Sequence, residues 1–359
     1  MRYLERIEKL RQLSQAQGAR AFLVSKPQHL RYLSGFSGGA GYLLILPDDA
    51  LLLSDFRFAL QAAREAPQFP FVKIEQDIIG LAQVVRERGV ENLGLEADHV
   101  TLATQASLVQ HLPGVRLEPC RELVESLRLR KDEDEIQAMR EAAAIAAAVM
   151  ERAIHLVRPG STEREIAIEI EHLLRLNGAD AAAFDVIVAA GPNSALPHAR
   201  PSEREMQRGD LVILDLGARL AGYHSDLTRT VGIGRCSDGA REIYSLVLEA
   251  QKEGLAACRP GQVCAQVDAA ARSVVERAGK GENFGHGLGH GVGLEIHEAP
   301  RLSRFEFERV LDCGMIITVE PGVYLLDLGG VRIEEMVLIT ETGGQVLTPC
   351  PKAERLPEV

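Results

Sequence analysis

Residues 158–234 and 259–340 read as two copies of one plan, and a chain built this way has to pack the copies against each other about a pseudo-two-fold axis. Arg158-Pro159-Gly160-Ser161 opens a helix that stops at Asn177-Gly178, and Arg259-Pro260-Gly261-Gln262 opens its counterpart, which stops at Ala278-Gly279. Thr162 and Glu165 give the first of these a capping box. Each follows another long helix, expected over 132–157 in one copy and 239–257 in the other. Ile136, Met139, Ala143, Ala146, Met150, Ala153 and Val157 mark the buried face of the earlier one.

Beyond each helix pair the copies repeat their chemistry. A histidine precedes a proline in His198-Ala199-Arg200-Pro201 and again in His297-Glu298-Ala299-Pro300. A strand then starts after a glycine and reaches a carboxylate: Gly209 to Asp215, and Gly314 to Glu320. A second carboxylate is expected on the following strand, Asp226 within 223–228 and Glu334 within 332–336. Folding the copies together brings Asp215, Asp226, Glu320 and Glu334 into one place. Uncompensated, such a cluster raises its own pKa values and costs several kcal/mol per ion; two divalent cations remove that cost. The stretch Gly285-His286-Gly287-Leu288-Gly289-His290-Gly291 adds two histidines among glycines, a composition suited to a site rather than a core.

At 359 residues the chain exceeds one ordinary core. The helical pattern changes near residue 125, so the reading is an α/β N-terminal domain over 1–124 and a second domain over 125–359. In the first, helices over 4–17, 57–65, 77–88 and 101–111 alternate with strands over 21–24, 42–46, 51–54, 71–74, 92–95 and 115–117, and 121–131 reads as a connector. Gly35-Phe36-Ser37-Gly38-Gly39 matches the G-x-S-x-G pattern, but a strand follows the glycines where a nucleophile elbow needs a helix. His297-Glu298 fails as a zincin motif because Arg301 stands where the second histidine belongs. The net charge of −11 excludes nucleic-acid and anionic-membrane partners. No apolar run spans a bilayer, and six cysteines without a C-x-x-C pair, behind an N-terminus unlike a signal peptide, point to the cytoplasm.

Taken together, Leu214-Asp215-Leu216-Gly217, Ser225-Asp226-Leu227-Thr228-Arg229-Thr230, His286-Gly287-Leu288-Gly289-His290, Val319-Glu320-Pro321-Gly322 and Val331-Arg332-Ile333-Glu334 resemble the metallopeptidases of the pita-bread fold that act at Xaa-Pro bonds, prolidase and aminopeptidase P. Tyr32-Leu33-Ser34-Gly35-Phe36 and its surroundings resemble their creatinase-like N-terminal domain. The resemblance implies an α+β chain: a smaller creatinase-like α/β domain, then a pita-bread catalytic domain with the internal pseudo-two-fold repeat. It implies that Asp215, Asp226, His290, Glu320 and Glu334 hold two divalent ions, with Asp226 and Glu334 bridging. His198 and His297 would face the substrate, His286 would hydrogen-bond a ligand or substrate, and Arg332 would pair with a ligating carboxylate. His224 and Tyr324 are further candidates for orienting a ligand.

Oxygen-rich donors favour Mn²⁺, with Co²⁺ or Zn²⁺ as alternatives. Glu320 would serve as acid/base and His198 with His297 would stabilise the oxyanion. The substrates expected are short proline-containing peptides, and the protein is expected to be a homodimer. The short, insertion-poor build favours an Xaa-Pro dipeptidase over an aminopeptidase P acting on longer peptides. More distant readings are a methionine aminopeptidase, which the N-terminal domain argues against, and a non-catalytic peptide-binding module, which would have lost ligands.

Overall fold

Six strands form the sheet of the N-terminal unit, in the spatial order Phe71–Lys73, Ala50–Ser54, Tyr42–Ile45, Ala21–Val24, Asn92–Glu96 and Arg116–Cys120. The computed structural model describes residues 2–359, and this unit runs to Arg128 while a second spans Leu129–Val359. Every residue of Ala21–Val24 is buried, as a central strand covered on both faces requires. Leu23, Leu44, Leu51, Leu53, Leu81 and Leu93 belong to one apolar cluster beneath it.

Two helices here were not expected from the sequence. Pro27–Ser34 is helical, with Pro27 in its first turn and Gly35 as a left-handed C-cap at φ 83°. Its start has no capping side chain of its own. Glu96, from a strand about seventy residues on, accepts the Ser25 and Lys26 backbone N–H groups at 2.6 and 2.9 Å. The entry to the helix is held from far along the chain, so no local spacing announces it. Leu123–Arg128 is likewise helical within the stretch read as a connector. Ser37 lies after a helix and before a strand, hydrogen-bonded to the Glu65 carboxylate, and has no elbow geometry.

In the second unit both halves stack a helix pair on an antiparallel sheet. The helices Glu133–Leu156 and Glu163–Leu176 each open with a complete capping box, Asp132 with Glu135 and Thr162 with Glu165. Met150, Ile166, Ile170 and Leu174 pack on Val212 and Leu214 of a sheet ordered Leu227–Gly232, Leu211–Leu216, Ile187–Ala190. In the other half, Asp238–Ala257 and Cys264–Arg277 send Tyr244, Val247, Val267 and Val275 onto Ile317, Val319 and Val337. The sheet below runs Glu298–Leu302, Gly289–Gly291, Ile316–Val319, Glu335–Thr340, Gly343–Val346.

Register carries the carboxylates. Asp215 pairs with Thr228 across one sheet, and Val319, just before Glu320, pairs with Glu335 across the other. Asp226 and Glu334 were expected within strands and are not. Asp226 follows the short strand Tyr223–His224 and precedes Leu227–Gly232; Glu334 falls between Gly329–Arg332 and Glu335–Thr340. Each occupies a break, where a side chain is released from strict alternation. The halves are stitched beside these breaks: the Arg332 N–H donates to Thr230 Oγ1 at 3.1 Å, Thr230 Oγ1 donates to the Arg332 carbonyl at 2.9 Å, and the Glu334 N–H donates to the Thr228 carbonyl at 3.2 Å.

Gly289, next to His290, is fixed by contact rather than by dihedral. A Cβ there would sit 2.0 Å from the Thr318 carbonyl oxygen. Replacing Gly289 by Ala is expected to cost about 1–3 kcal/mol in urea unfolding, as overpacking does. Gly285→Ala, which meets no atom within 4 Å, should leave the midpoint within error of the parent.

Candidate metal centre

Asp215, the last residue but one of the strand Leu211–Leu216, is buried, and Arg332, buried as well, donates to its Oδ2 at 2.6 Å. The same guanidinium donates to the Tyr324 hydroxyl at 2.9 Å and the Pro197 carbonyl at 3.2 Å. Tyr324 in turn lies 3.0 Å from His286 Nε2, and His286 Nδ1 lies 2.8 Å from the Gly287 carbonyl. The structure therefore puts His286 on a tyrosine and a backbone carbonyl, and Tyr324 between that histidine and Arg332.

Across the centre, His290 Nε2 lies 3.2 Å from Glu320 Oε1 and 3.7 Å from Asp226 Oδ2. Asp226, His290 and Glu334 each offer one ligand atom within 4.8 Å of the others. His297 is exposed on the rim, its ring 4.3 Å from that of His290 at 69°. His198 is exposed too, and its charge bears on both His286 and His297. His224 Nδ1 lies 3.0 Å from the Gly293 carbonyl.

Two threonines that the motifs did not single out complete the arrangement. Thr228 Oγ1 donates to Glu334 Oε2 at 2.6 Å, and Thr318 Oγ1 donates to Glu320 Oε1 at 3.1 Å while accepting the His290 N–H at 3.0 Å. Each lies two residues from a carboxylate, Thr228 after Asp226 and Thr318 before Glu320. That spacing was the signal available for them.

The electrostatics are those of a cluster short of positive charge. Burial, and then the Asp215 charge, push Asp226 well above the usual carboxylate range; burial, and then Asp226, do the same to Glu334. Burial raises Asp215 against the pull of Arg332. Glu320 behaves oppositely: burial opposes its ionisation, but the hydrogen bond and charge of His290 hold it at about 2. Burial likewise opposes charging His290, and Glu320 with Asp226 still lifts it to about 9. Asp215 Oδ1 and Glu334 Oε1 are buried without any hydrogen-bond partner. Orphaned oxygens of this kind, in a group of carboxylates and one imidazole, fit divalent cations.

Sequence comparison agrees with that chemistry. Residues 137–341 match Metallopeptidase family M24, and residues 6–130 match the Creatinase/Prolidase N-terminal domain. An Xaa-Pro dipeptidase of Pyrococcus furiosus is 40% identical over 354 residues, covering 98% of this chain and 99% of that protein. Among solved structures, an Xaa-Pro dipeptidase from Bacillus anthracis superposes with a TM-score of 0.96 at 40% identity, covering 99% of this chain and 100% of that one. An X-Pro aminopeptidase from Thermotoga maritima follows at 0.89 and 35% identity, covering 95% and 99%. The architecture is accordingly a creatinase-like N-terminal domain followed along the chain by the pita-bread catalytic fold. With both domains matched and a buried carboxylate–histidine cluster of the right donors, this chain belongs to Metallopeptidase family M24.

Proposed function

We propose that this metallopeptidase is an Xaa-Pro dipeptidase, releasing the N-terminal residue from dipeptides that end in proline. Its similarity to Xaa-Pro dipeptidases through both domains, at 40% identity, carries the reading. Asp215, Asp226, His290, Glu320 and Glu334 are proposed as the ligands of two divalent ions. Nearly all their donors are carboxylate oxygens, which supports Mn²⁺ over thiolate-preferring metals. The N-terminal unit argues against a methionine aminopeptidase. A homodimer is proposed on the family resemblance, and six unpaired cysteines among the described residues suit a reducing cytoplasm.

Ions bound there would acidify a water and polarise the scissile carbonyl. The remaining work falls to the chain. Glu320, ionised at neutral pH, takes the proton of the attacking water and returns it to the proline nitrogen. His198 and His297, on the rim, donate to the developing oxyanion; partial burial lowers the pKa of His297, which favours a neutral donor. Arg332 fixes one carboxylate oxygen of Asp215 and leaves the other buried without a hydrogen-bond partner.

Aminopeptidase P is the second reading, because the Thermotoga maritima X-Pro aminopeptidase is also similar along its whole length. Initial rates on Ala-Pro and Ala-Pro-Ala with Mn²⁺ present separate the two: the dipeptide should be the better substrate, and preference for the tripeptide would replace the dipeptidase with the aminopeptidase. Glu320→Gln should lower kcat by about 10²–10⁴-fold, the size of a general-base contribution, with metal content checked by elemental analysis. Near-normal turnover at full occupancy would remove Glu320 from the acid/base role.

Metal removal gives a pH-dependent test. In the metal-free fold Asp226 and Glu334 hold protons above the pH at which the unfolded chain has released them. Stability is therefore present at low pH and lost as pH rises toward the raised folded values. The melting temperature of chelated protein should fall between about pH 5 and about pH 8, and added Mn²⁺ should raise it more at the higher pH. A metal-induced gain independent of pH would count against the buried carboxylates as the binding groups.

A further inference from the structure

One buried ion pair outside the proposed ligands holds the glycine-rich segment that leads to His290. Asp268 and Arg272 stand one turn apart on the helix Cys264–Arg277, Asp268 fully buried and Arg272 8% exposed. The guanidinium donates to both Asp268 oxygens, at 2.7 and 2.9 Å. It also reaches the Phe284 carbonyl at 2.8 Å and the His286 carbonyl at 2.7 Å, and lies 4.2 Å above the Phe284 ring. Asp268 Oδ1 accepts the Leu288 N–H at 2.9 Å. Phe284, His286 and Leu288 are thus all held from one helix face.

The grip is passed on to two proposed ligands. The Leu288 carbonyl accepts the Glu320 N–H at 2.8 Å, and His290 lies two residues further along, joined to Glu320 through Thr318. Gly285, Gly287 and Gly289 give the unfolded segment more backbone freedom than residues with a side chain would. Its position has to be imposed from outside, and the ion pair supplies three of the points that impose it.

Glu163 provides a contrast in the other half. It is fully buried at the start of Glu163–Leu176 and accepts the Ala190 N–H at 2.7 Å, the Asn193 amide at 3.0 Å and the Ser202 N–H at 2.9 Å. The segment it holds carries His198, which is not among the proposed ligands.

We infer that Asp268 and Arg272 are a positioning pair that sets the affinity of one ion of the two, the one taken by His290 and Glu320, while leaving the ion on the Asp215 side unaffected. The inference rests on the two-ion reading above. Lysine at position 272 keeps the charge but loses the planar fork that spans Asp268 and two carbonyls. Asparagine at position 268 keeps the shape and weakens the charge-assisted bonds.

The test titrates Mn²⁺ alone into metal-free, full-length protein by calorimetry, with parallel melts of the metal-free forms. Arg272→Lys and Asp268→Asn should each keep one ion at wild-type affinity and bind the other about 10–100-fold more weakly, as expected when a ligand loses its supporting hydrogen bonds. Glu163→Gln should keep both ions. The inference is overturned if both ions stay at wild-type affinity, if both weaken together, or if Glu163→Gln loses the same ion. Failure of both conservative variants to fold would make the pair a folding determinant and overturn it too. A wild type that takes up fewer than two ions fails separately, removing the two-ion reading itself.

Discussion

Mutual repulsion among buried carboxylates is the constraint that shapes the catalytic unit. Asp215, Asp226 and Glu334 are each at most 7% exposed, and Glu320 converges on the same centre. Water screens none of them well, so each like-charge contact is felt nearly in full. The protein answers each oxygen differently. Arg332 neutralises Asp215, His290 meets Glu320, and Thr228 bonds one oxygen of Glu334. Asp215 Oδ1 and Glu334 Oε1 stay unanswered. A family of metallopeptidases has no reason to finish that compensation with side chains, because divalent cations are meant to do it.

Holding such a cluster together demands a frame that cannot drift. Each half supplies strands whose register is locked by a core of its own, with Val212 and Leu214 under one sheet and Ile317 and Val319 under the other. The halves then meet through Thr228, Thr230, Arg332 and Glu334, where side chain and backbone exchange hydrogen bonds directly beside the carboxylates. The stitches lie where repulsion would otherwise part the sheets. Stability and site geometry are served by the same few contacts.

Much of this was legible in the sequence for a physical reason: the repeat and the ordered acids leave periodic, local traces. The capping box at Thr162 and the strand that carries Asp215 have such traces; the box is present as read, and the strand runs Leu211–Leu216, one residue past the carboxylate. The helix Pro27–Ser34 lacked one because Glu96, far along the chain, holds the two residues that lead into it. Asp226 and Glu334 fell in strand breaks rather than strands because their positions are set by the meeting of the halves, which alternation within either half does not encode. The grip of Arg272 on Phe284 and His286 escaped notice likewise: a side chain bonded to backbone carbonyls twelve and fourteen residues away has no spacing rule.

The pairing of two similar halves within one chain has a further meaning. Two identical molecules meeting across a two-fold would have to offer the same groups from each side. A single polypeptide carrying both copies is free of that rule. Here one half contributes Asp215 and Asp226, and the other contributes His290, Glu320 and Glu334. Symmetry survives in the scaffold, where it keeps the frame rigid. It is broken among the proposed ligands, so the two sides of the centre differ, and hydrolysis of a single bond between two unlike residues needs that difference.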